Sequence, residues 1–214
     1  MVFFFSPKAG GTSLRAFLFE VENGFAFRDY KVQGKTYDAN SLLLNNRFKI
    51  VNHRRLSNFR RFALVRDPVS RFLSGYSNRV DHYRELSEEA AGDLLREANL
   101  TPDPDLETFI ENFSAYKKCS KPLARHFRSQ NAFVGSDIGY YERIFRLNKV
   151  DELIDFVNAE CGTSATMPRL QTGGKKLKFS ELDREIQSKI VHLVKDDIAF
   201  QAFDDMWAPY AEFA

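Results

Sequence analysis

The stretch Phe3-Phe4-Phe5-Ser6-Pro7-Lys8-Ala9-Gly10-Gly11-Thr12-Ser13-Leu14 indicates a buried strand, a tight glycine turn and the start of a helix. The apolar run at residues 2–5 fits a strand or a buried helix by periodicity alone, and its aromatic content with the proline and glycines that follow favours a strand. The next apolar residues recur at the spacing of one helical face: Leu14, Phe17, Leu18 and Val21.

A strand, a glycine turn and a helix in this order form an anion-binding site. Gly10 and Gly11 let the backbone come close to a ligand, and the free N–H groups of the first helical turn point at it with the positive end of the helix dipole behind them. Lys8 adds a mobile positive charge, and Thr12 and Ser13 add hydroxyl donors.

The loop differs from the nucleoside-triphosphate P-loop, in which the second glycine is followed by Lys and Ser or Thr. Here Lys8 precedes the glycines, and no lysine stands directly before Thr12. Glycine turns before helices are common and many of them bind nothing, so this stretch alone leaves both interpretations open.

Composition is that of an ordinary globular protein and predicts a single domain over residues 1–214. Of the 214 residues, 43% are hydrophobic and 28% charged, and the net charge is only +2. The two cysteines, Cys119 and Cys161, do not make a disulfide framework, and neither has partners at metal-ligand spacing. No apolar run reaches the length of a membrane span, and we expect a cytoplasmic protein.

Further short strands are predicted at residues 47–52, 62–65 and 141–147, with helices between and after them. This order predicts an α/β fold of three layers, with a central parallel sheet of about four to five strands flanked by helices. Ligands of such sheets bind beyond the carboxyl ends of the strands, where this interpretation places residues 6–13, His53 and Arg66. Residues 117–135 are predicted to be a loop, and a helix is predicted to begin at Ser180.

A second anion-binding stretch is Arg66-Asp67-Pro68-Val69-Ser70-Arg71-Phe72-Leu73-Ser74-Gly75-Tyr76. Arg66 ends a predicted strand, Ser74 lies about two helical turns further on, and Arg71 is predicted to share a face with Ser74. A guanidinium with a nearby hydroxyl suits a phosphate. The alternative is that Arg66 pairs with Asp67 or a helix end and that Ser74 faces solvent.

Together the two stretches resemble the sulfotransferases that use 3′-phosphoadenosine 5′-phosphosulfate (PAPS), most closely the carbohydrate and uronyl 2-O-sulfotransferase branch. The clear resemblance covers residues 2–76 and implies a P-loop-like fold. It implies that Lys8, Ala9, Gly10, Gly11, Thr12 and Ser13 hold the 5′-phosphosulfate and that Arg66 and Ser74 hold the 3′-phosphate. Gly173-Gly174-Lys175-Lys176 stands where the family often has a basic loop over the nucleotide, which makes Lys175 a candidate ligand.

The segment His53-Arg54-Arg55-Leu56-Ser57-Asn58-Phe59 resembles the one that carries the catalytic histidine of the 2-O-sulfotransferase branch. By this resemblance His53 is the base that takes the acceptor proton, a role that suits histidine because it titrates near neutral pH. Lys8 would neutralise the bridging oxygen as the S–O bond breaks. His126 is a weaker candidate. The arginines near His53 either bind an anionic acceptor or form a solvated face; they are Arg54, Arg55, Arg60 and Arg61.

The predicted reaction is sulfuryl transfer from PAPS, leaving adenosine 3′,5′-bisphosphate (PAP), to an acceptor hydroxyl without a metal, and the resemblance implies that the acceptor is a glycan. A P-loop-type kinase is the competing enzyme, and a nucleic-acid-binding module that uses the arginines is the non-enzymatic alternative. Against them stand the misplaced lysine, the small net charge and the lack of an RNA-binding aromatic motif. The oligomeric state is left open. Because the sequence shows no stem or anchor, a Golgi location is not expected.

Overall fold

A parallel sheet built on Val2–Phe5 (β1) positions the glycine loop. β1 pairs with Arg61–Val65 (β4), and β4 pairs with Arg143–Arg146 (β5), so the order is β1-β4-β5 with all strands parallel. The last four residues of β4 are buried, as expected for a central strand. The α/β class with a parallel sheet is confirmed; the sheet has three strands among the described residues, fewer than the four to five expected.

The computed structural model describes residues 1–42, 46–170, 173–198 and 208–213. Its remaining strands are Tyr30–Val32 (β2) and Lys35–Tyr37 (β3), which pair as an antiparallel hairpin. Its α-helices are Gly11–Asn23 (α1), Pro68–Tyr76 (α2), Glu88–Glu97 (α3), Leu106–Glu111 (α4), Phe113–Cys119 (α5), Lys121–His126 (α6), Asn131–Val134 (α7), Val150–Cys161 (α8), Arg184–Leu193 (α9) and Lys195–Ile198 (α10).

Contacts divide the chain into two units, and each is described by itself. The first unit comprises residues 1–66 and 132–172, and the second comprises residues 67–131 and 173–214. The single domain over 1–214 stays a prediction. Among the described residues, every helix is too short or too polar to cross a membrane.

In the first unit, α1 and α8 pack on one face of the sheet. Their apolar stripes meet inward-facing strand residues, and the buried cluster comprises Phe5, Leu14, Phe17, Phe62, Leu64, Phe145, Leu153, Val157 and Ala165. This arrangement confirms the predicted strand-to-helix passage, since alternate residues of β1 and every third or fourth residue of α1 enter one core.

The predicted strand at residues 47–52 is wrong. Phe48–Ile50 and His53–Leu56 form two successive 3-10 turns, in which Ile50 N–H bonds to the carbonyl of Arg47 (3.0 Å) and Val51 N–H to that of Phe48 (3.1 Å). The Phe48 ring packs beside Phe4, at 5.7 Å between ring centroids, while Ile50 stays 57% exposed. The packing of the Phe48 ring, and not hydrogen bonds to a neighbouring strand, thus holds this segment. His53 therefore does not follow a strand.

The second unit is helical and has its own core. Its centre is a set of aromatic and aliphatic side chains from several helices: Phe72, Phe109, Phe113, Tyr116, Phe127, Ile186 and Ile190. The predicted loop at residues 117–135 is wrong for most of its length, because α5, α6 and α7 occupy it and Ser120 caps α6 by accepting the N–H of Leu123. Ser180 lies in a 3-10 turn, and α9 begins after Asp183.

Candidate active site

The loop after β1 has the geometry of an anion cradle. Lys8 (φ 68°) and Gly10 (φ 78°) adopt the left-handed conformation, and the buried Ala9 between them donates its N–H to the carbonyl of Ser6 at 3.3 Å. Left-handed backbone at a lysine is uncommon and is held only where surroundings require it. Gly10 caps α1 without a side-chain oxygen, so no side chain of the capping residue takes up the first-turn N–H groups.

The two glycines are required by close contacts. A Cβ atom on Gly10 would stand 2.7 Å from Leu147 Cδ1, and one on Gly11 would stand 2.4 Å from Phe5 Cε2. A side chain at either position would force Leu147, Phe5 or the loop itself to shift. The glycines thereby keep the backbone amides of the loop within reach of a ligand.

Arg66 is joined to this loop. It follows the last residue of β4, and its Nη1 donates to the carbonyl oxygen of Lys8 at 3.0 Å. Asp67 accepts the N–H of Ser70 (2.6 Å) and so caps α2. The structure therefore brings two residues that lie 58 positions apart to one loop at the carboxyl end of the sheet.

Thr12 and Ser13 have hydroxyl partners that the sequence did not predict. Thr12 Oγ1 donates to Asn40 Oδ1 at 2.7 Å, and Ser13 Oγ accepts the N–H of Leu170 at 3.1 Å. A hydroxyl has one proton, so that of Thr12 is directed to Asn40, whereas the proton of Ser13 stays able to donate. At Thr12 the backbone N–H is therefore the more suitable donor to an anion.

These residues fit the phosphosulfate end of a PAPS-type donor, because the donor set consists of backbone N–H groups, an ammonium group and a guanidinium. A family model described as the sulfotransferase family matches residues 1–204 of the chain. The chain belongs to the sulfotransferase family. A search of curated proteins and a search of solved structures found no match to this sulfotransferase.

His53 of the sulfotransferase is half-buried and has hydrogen bonds at both ring nitrogens. Nε2 lies 2.8 Å from the carbonyl oxygen of Phe48, and Nδ1 lies 2.8 Å from the hydroxyl of Tyr140. A carbonyl only accepts, so Nε2 carries a proton and the lone pair of the neutral ring is at Nδ1. Burial raises the pKa of Tyr140, although Arg61 opposes the rise, and this phenol is the donor to Nδ1.

Tyr140 stands ahead of β5, on the amino-terminal side of the strand, whereas the Lys8 loop follows the carboxyl end of β1. Tyr140, which bonds to His53, thus precedes a strand. The expected position of His53, directly after the end of a strand, is wrong. Its role as the base stays a prediction.

The arginines that follow His53 differ in their partners. Arg60 bonds to Glu142 and Glu160, and these carboxylates raise the pKa of its guanidinium. Arg61 donates from Nε to the carbonyl of Tyr140 at 2.9 Å and lies 4.5 Å from the centre of its ring. Both contribute to the wall of a cavity of about 420 Å³ formed by residues 57–61 and 139–142, while Arg54 and Arg55 are exposed.

In the second unit, Ser74 is half-buried on α2 and lies one turn after Arg71. Arg71 is 4% exposed and bonds to the carbonyl of His126 (3.1 Å) and to Asp197 (2.8 Å), so it serves the core of this unit. Lys175 is exposed, and its carbonyl accepts the hydroxyl of Ser77, one turn after Ser74. The structure thus brings the glycine loop of Lys175 onto the end of the helix segment that carries Ser74.

Proposed function

We propose that this sulfotransferase transfers a sulfuryl group from PAPS to a carbohydrate hydroxyl, as the resemblance to the 2-O-sulfotransferase branch implies. The observation that carries the proposal is the loop after β1, in which Lys8 and Gly10 have left-handed backbones, Gly10 caps α1 without a side-chain oxygen, and Arg66 Nη1 donates to the Lys8 carbonyl. This arrangement is typical of a site for a phosphoryl or sulfuryl group.

PAPS would supply the sulfuryl group and a bisphosphate leaving group. The loop from Lys8 to Ser13 would hold the 5′-phosphosulfate by its amides, and the ammonium group of Lys8 would stabilise the negative charge that develops on the bridging oxygen. By the resemblance alone, and not by its position, His53 would accept the proton of the acceptor hydroxyl, directly at Nδ1 or through Tyr140, which already donates to that nitrogen. The roles of Arg66, Ser74 and Lys175 toward the 3′-phosphate stay predictions from the resemblance.

Binding of PAP in the absence of metal tests the donor class. Cationic side chains and N–H groups can neutralise this ligand without Mg²⁺, so calorimetry in EDTA is expected to show PAP binding by the purified protein. Titrations with ATP and with RNA serve as comparisons. Binding that disappears in EDTA and returns with Mg²⁺, or a preference for ATP, would favour the kinase, and a preference for RNA would favour the nucleic-acid module.

Arg66→Ala is expected to weaken PAP binding more than it weakens binding of adenosine 5′-phosphosulfate, which has no 3′-phosphate. A charge-assisted contact contributes about 1.5–3 kcal/mol, or roughly 10- to 150-fold in affinity. Because Arg66 also supports Lys8, the variant should lose some affinity for both ligands, and the 3′-phosphate contribution is the difference between the two losses. Equal losses in calorimetry would limit Arg66 to support of the loop.

A further inference from the structure

We propose that Arg15 contributes a buried positive charge to binding of the 5′-phosphosulfate, as a positioning residue at the first turn of α1; this inference rests on the proposed function. The sequence motifs do not include Arg15, because it lies beyond the glycine turn, in a helix whose apolar spacing indicates core packing. The residue is only 7% exposed, which is unusual for arginine.

The guanidinium of Arg15 lies beside the loop. Its central carbon is 4.8 Å from the centre of the Phe5 ring, and its Nη1 is 3.5 Å from the point that a Cβ on Gly11 would occupy. Because Arg15 comes four residues after Gly11, its side chain runs back along the helix to the first turn. Phe5 and Gly11 thus hold the charge at the end of the helix that faces the proposed ligand.

Arg15 is also connected to Thr12. Its Nη1 donates to Asn40 Oδ1 at 3.3 Å, and the same oxygen accepts the hydroxyl of Thr12 at 2.7 Å. Asn40 is itself held by Asp38, which accepts both the backbone N–H and the side-chain amide of Asn40 at 3.0 Å. The guanidinium therefore fixes the asparagine that orients the second residue of α1.

An anion bound at the loop would interact favourably with the charge of Arg15. A cation near the N-terminus of a helix is repelled by the positive end of the helix dipole, and burial of a charge is costly. An anion bound at the loop offsets the repulsion between the guanidinium and the helix dipole, because the anion is attracted by both. Being buried, the charge is only weakly screened by salt.

Calorimetry with two ligands tests this inference. Arg15→Met keeps an unbranched stem against Phe5 but removes the charge, and we expect it to lower PAP affinity by about 10- to 100-fold, as for the loss of one charge-assisted contact. Binding of adenosine 3′-phosphate, which lacks the 5′ group, should stay near wild type. Arg15→Lys should recover much of the PAP affinity.

Arg143→Met is the matched control, because Arg143 also lies over a phenylalanine ring (4.7 Å, Phe145) but at the start of β5. It should bind both ligands like wild type. Equal losses for both ligands in Arg15→Met, or no loss for PAP, would overturn the role of Arg15. Should Arg15→Met fail to fold, the same pair of affinities measured with Arg15→Gln decides the question. Failure of the wild-type protein to bind PAP would instead overturn the proposed function itself.

Discussion

Lys8→Met is expected to lower kcat for sulfuryl transfer by about 10²–10³-fold, the range seen when one preorganised group is removed from a site where charge develops. The effect should fall on kcat more than on PAP affinity, because the ammonium group acts on an oxygen whose charge grows only as the bond breaks. Lys8 has a left-handed backbone and carries the carbonyl that Arg66 binds. Methionine has the same unbranched stem, so the variant removes the charge without altering the backbone requirement.

Steady-state kinetics of Lys8→Met and Lys8→Arg, with PAP titrations of both, separate charge from loop geometry. Arginine keeps the charge and should retain much more activity than methionine, though its planar group cannot replace a compact ammonium fully. Wild-type kcat in Lys8→Met would contradict the role of Lys8 in the chemical step. A loss confined to PAP affinity would make Lys8 a binding residue only.

Elements with a strong local pattern could be predicted from the sequence. β1 and α1 follow from a short aromatic run, a proline, two glycines and a regular apolar stripe, and α8 follows from a similar stripe that ends at Gly162 in the left-handed conformation. In each case the residues that determine the element lie within it. The loop between β1 and α1 was predictable for the same reason.

Residues 47–52 show where such reasoning fails. Their alternating pattern resembles a strand, but Phe48 finds its partners in Phe4, Tyr140 and the backbone near Gly135, far away in the sequence. Tertiary contacts decide the conformation of so short a segment.

In the candidate site, too, the residues could be predicted from local sequence, whereas their contacts with residues distant in the sequence could not. The residues of the loop were identified from their spacing, whereas the bond from Arg66 to Lys8 and the shared acceptor Asn40 join positions separated by 58, 28 and 25 residues. Arg71 is the opposite case: its spacing suggested a ligand, and Asp197, 126 residues later, makes it a buried structural cation. A residue type at a suitable spacing therefore identifies a candidate, and its distant partners decide how it is used.

His53→Gln is expected to lower kcat by about 10²–10⁴-fold, the usual contribution of a positioned general base, while PAP affinity stays near wild type. Glutamine is preferred to alanine because its amide can still donate to the carbonyl of Phe48, whereas alanine would remove two hydrogen bonds and loosen the Phe48 turn. The wild-type rate should fall as the pH drops through the range in which histidine takes up a proton. His53→Gln should lose that limb of the profile.

Tyr140→Phe is the matched test of how His53 would act, since it removes only the hydroxyl that occupies Nδ1. A large loss of kcat in Tyr140→Phe, with unchanged PAP affinity, would show that the proton reaches Nδ1 through the phenol. A rate at or above wild type would show that Nδ1 takes the proton directly once the phenol is gone. Full turnover in His53→Gln, or a loss that follows thermal unfolding alone, would make His53 a structural residue that joins the Phe48 turn to Tyr140, and His126 would be the next histidine to test.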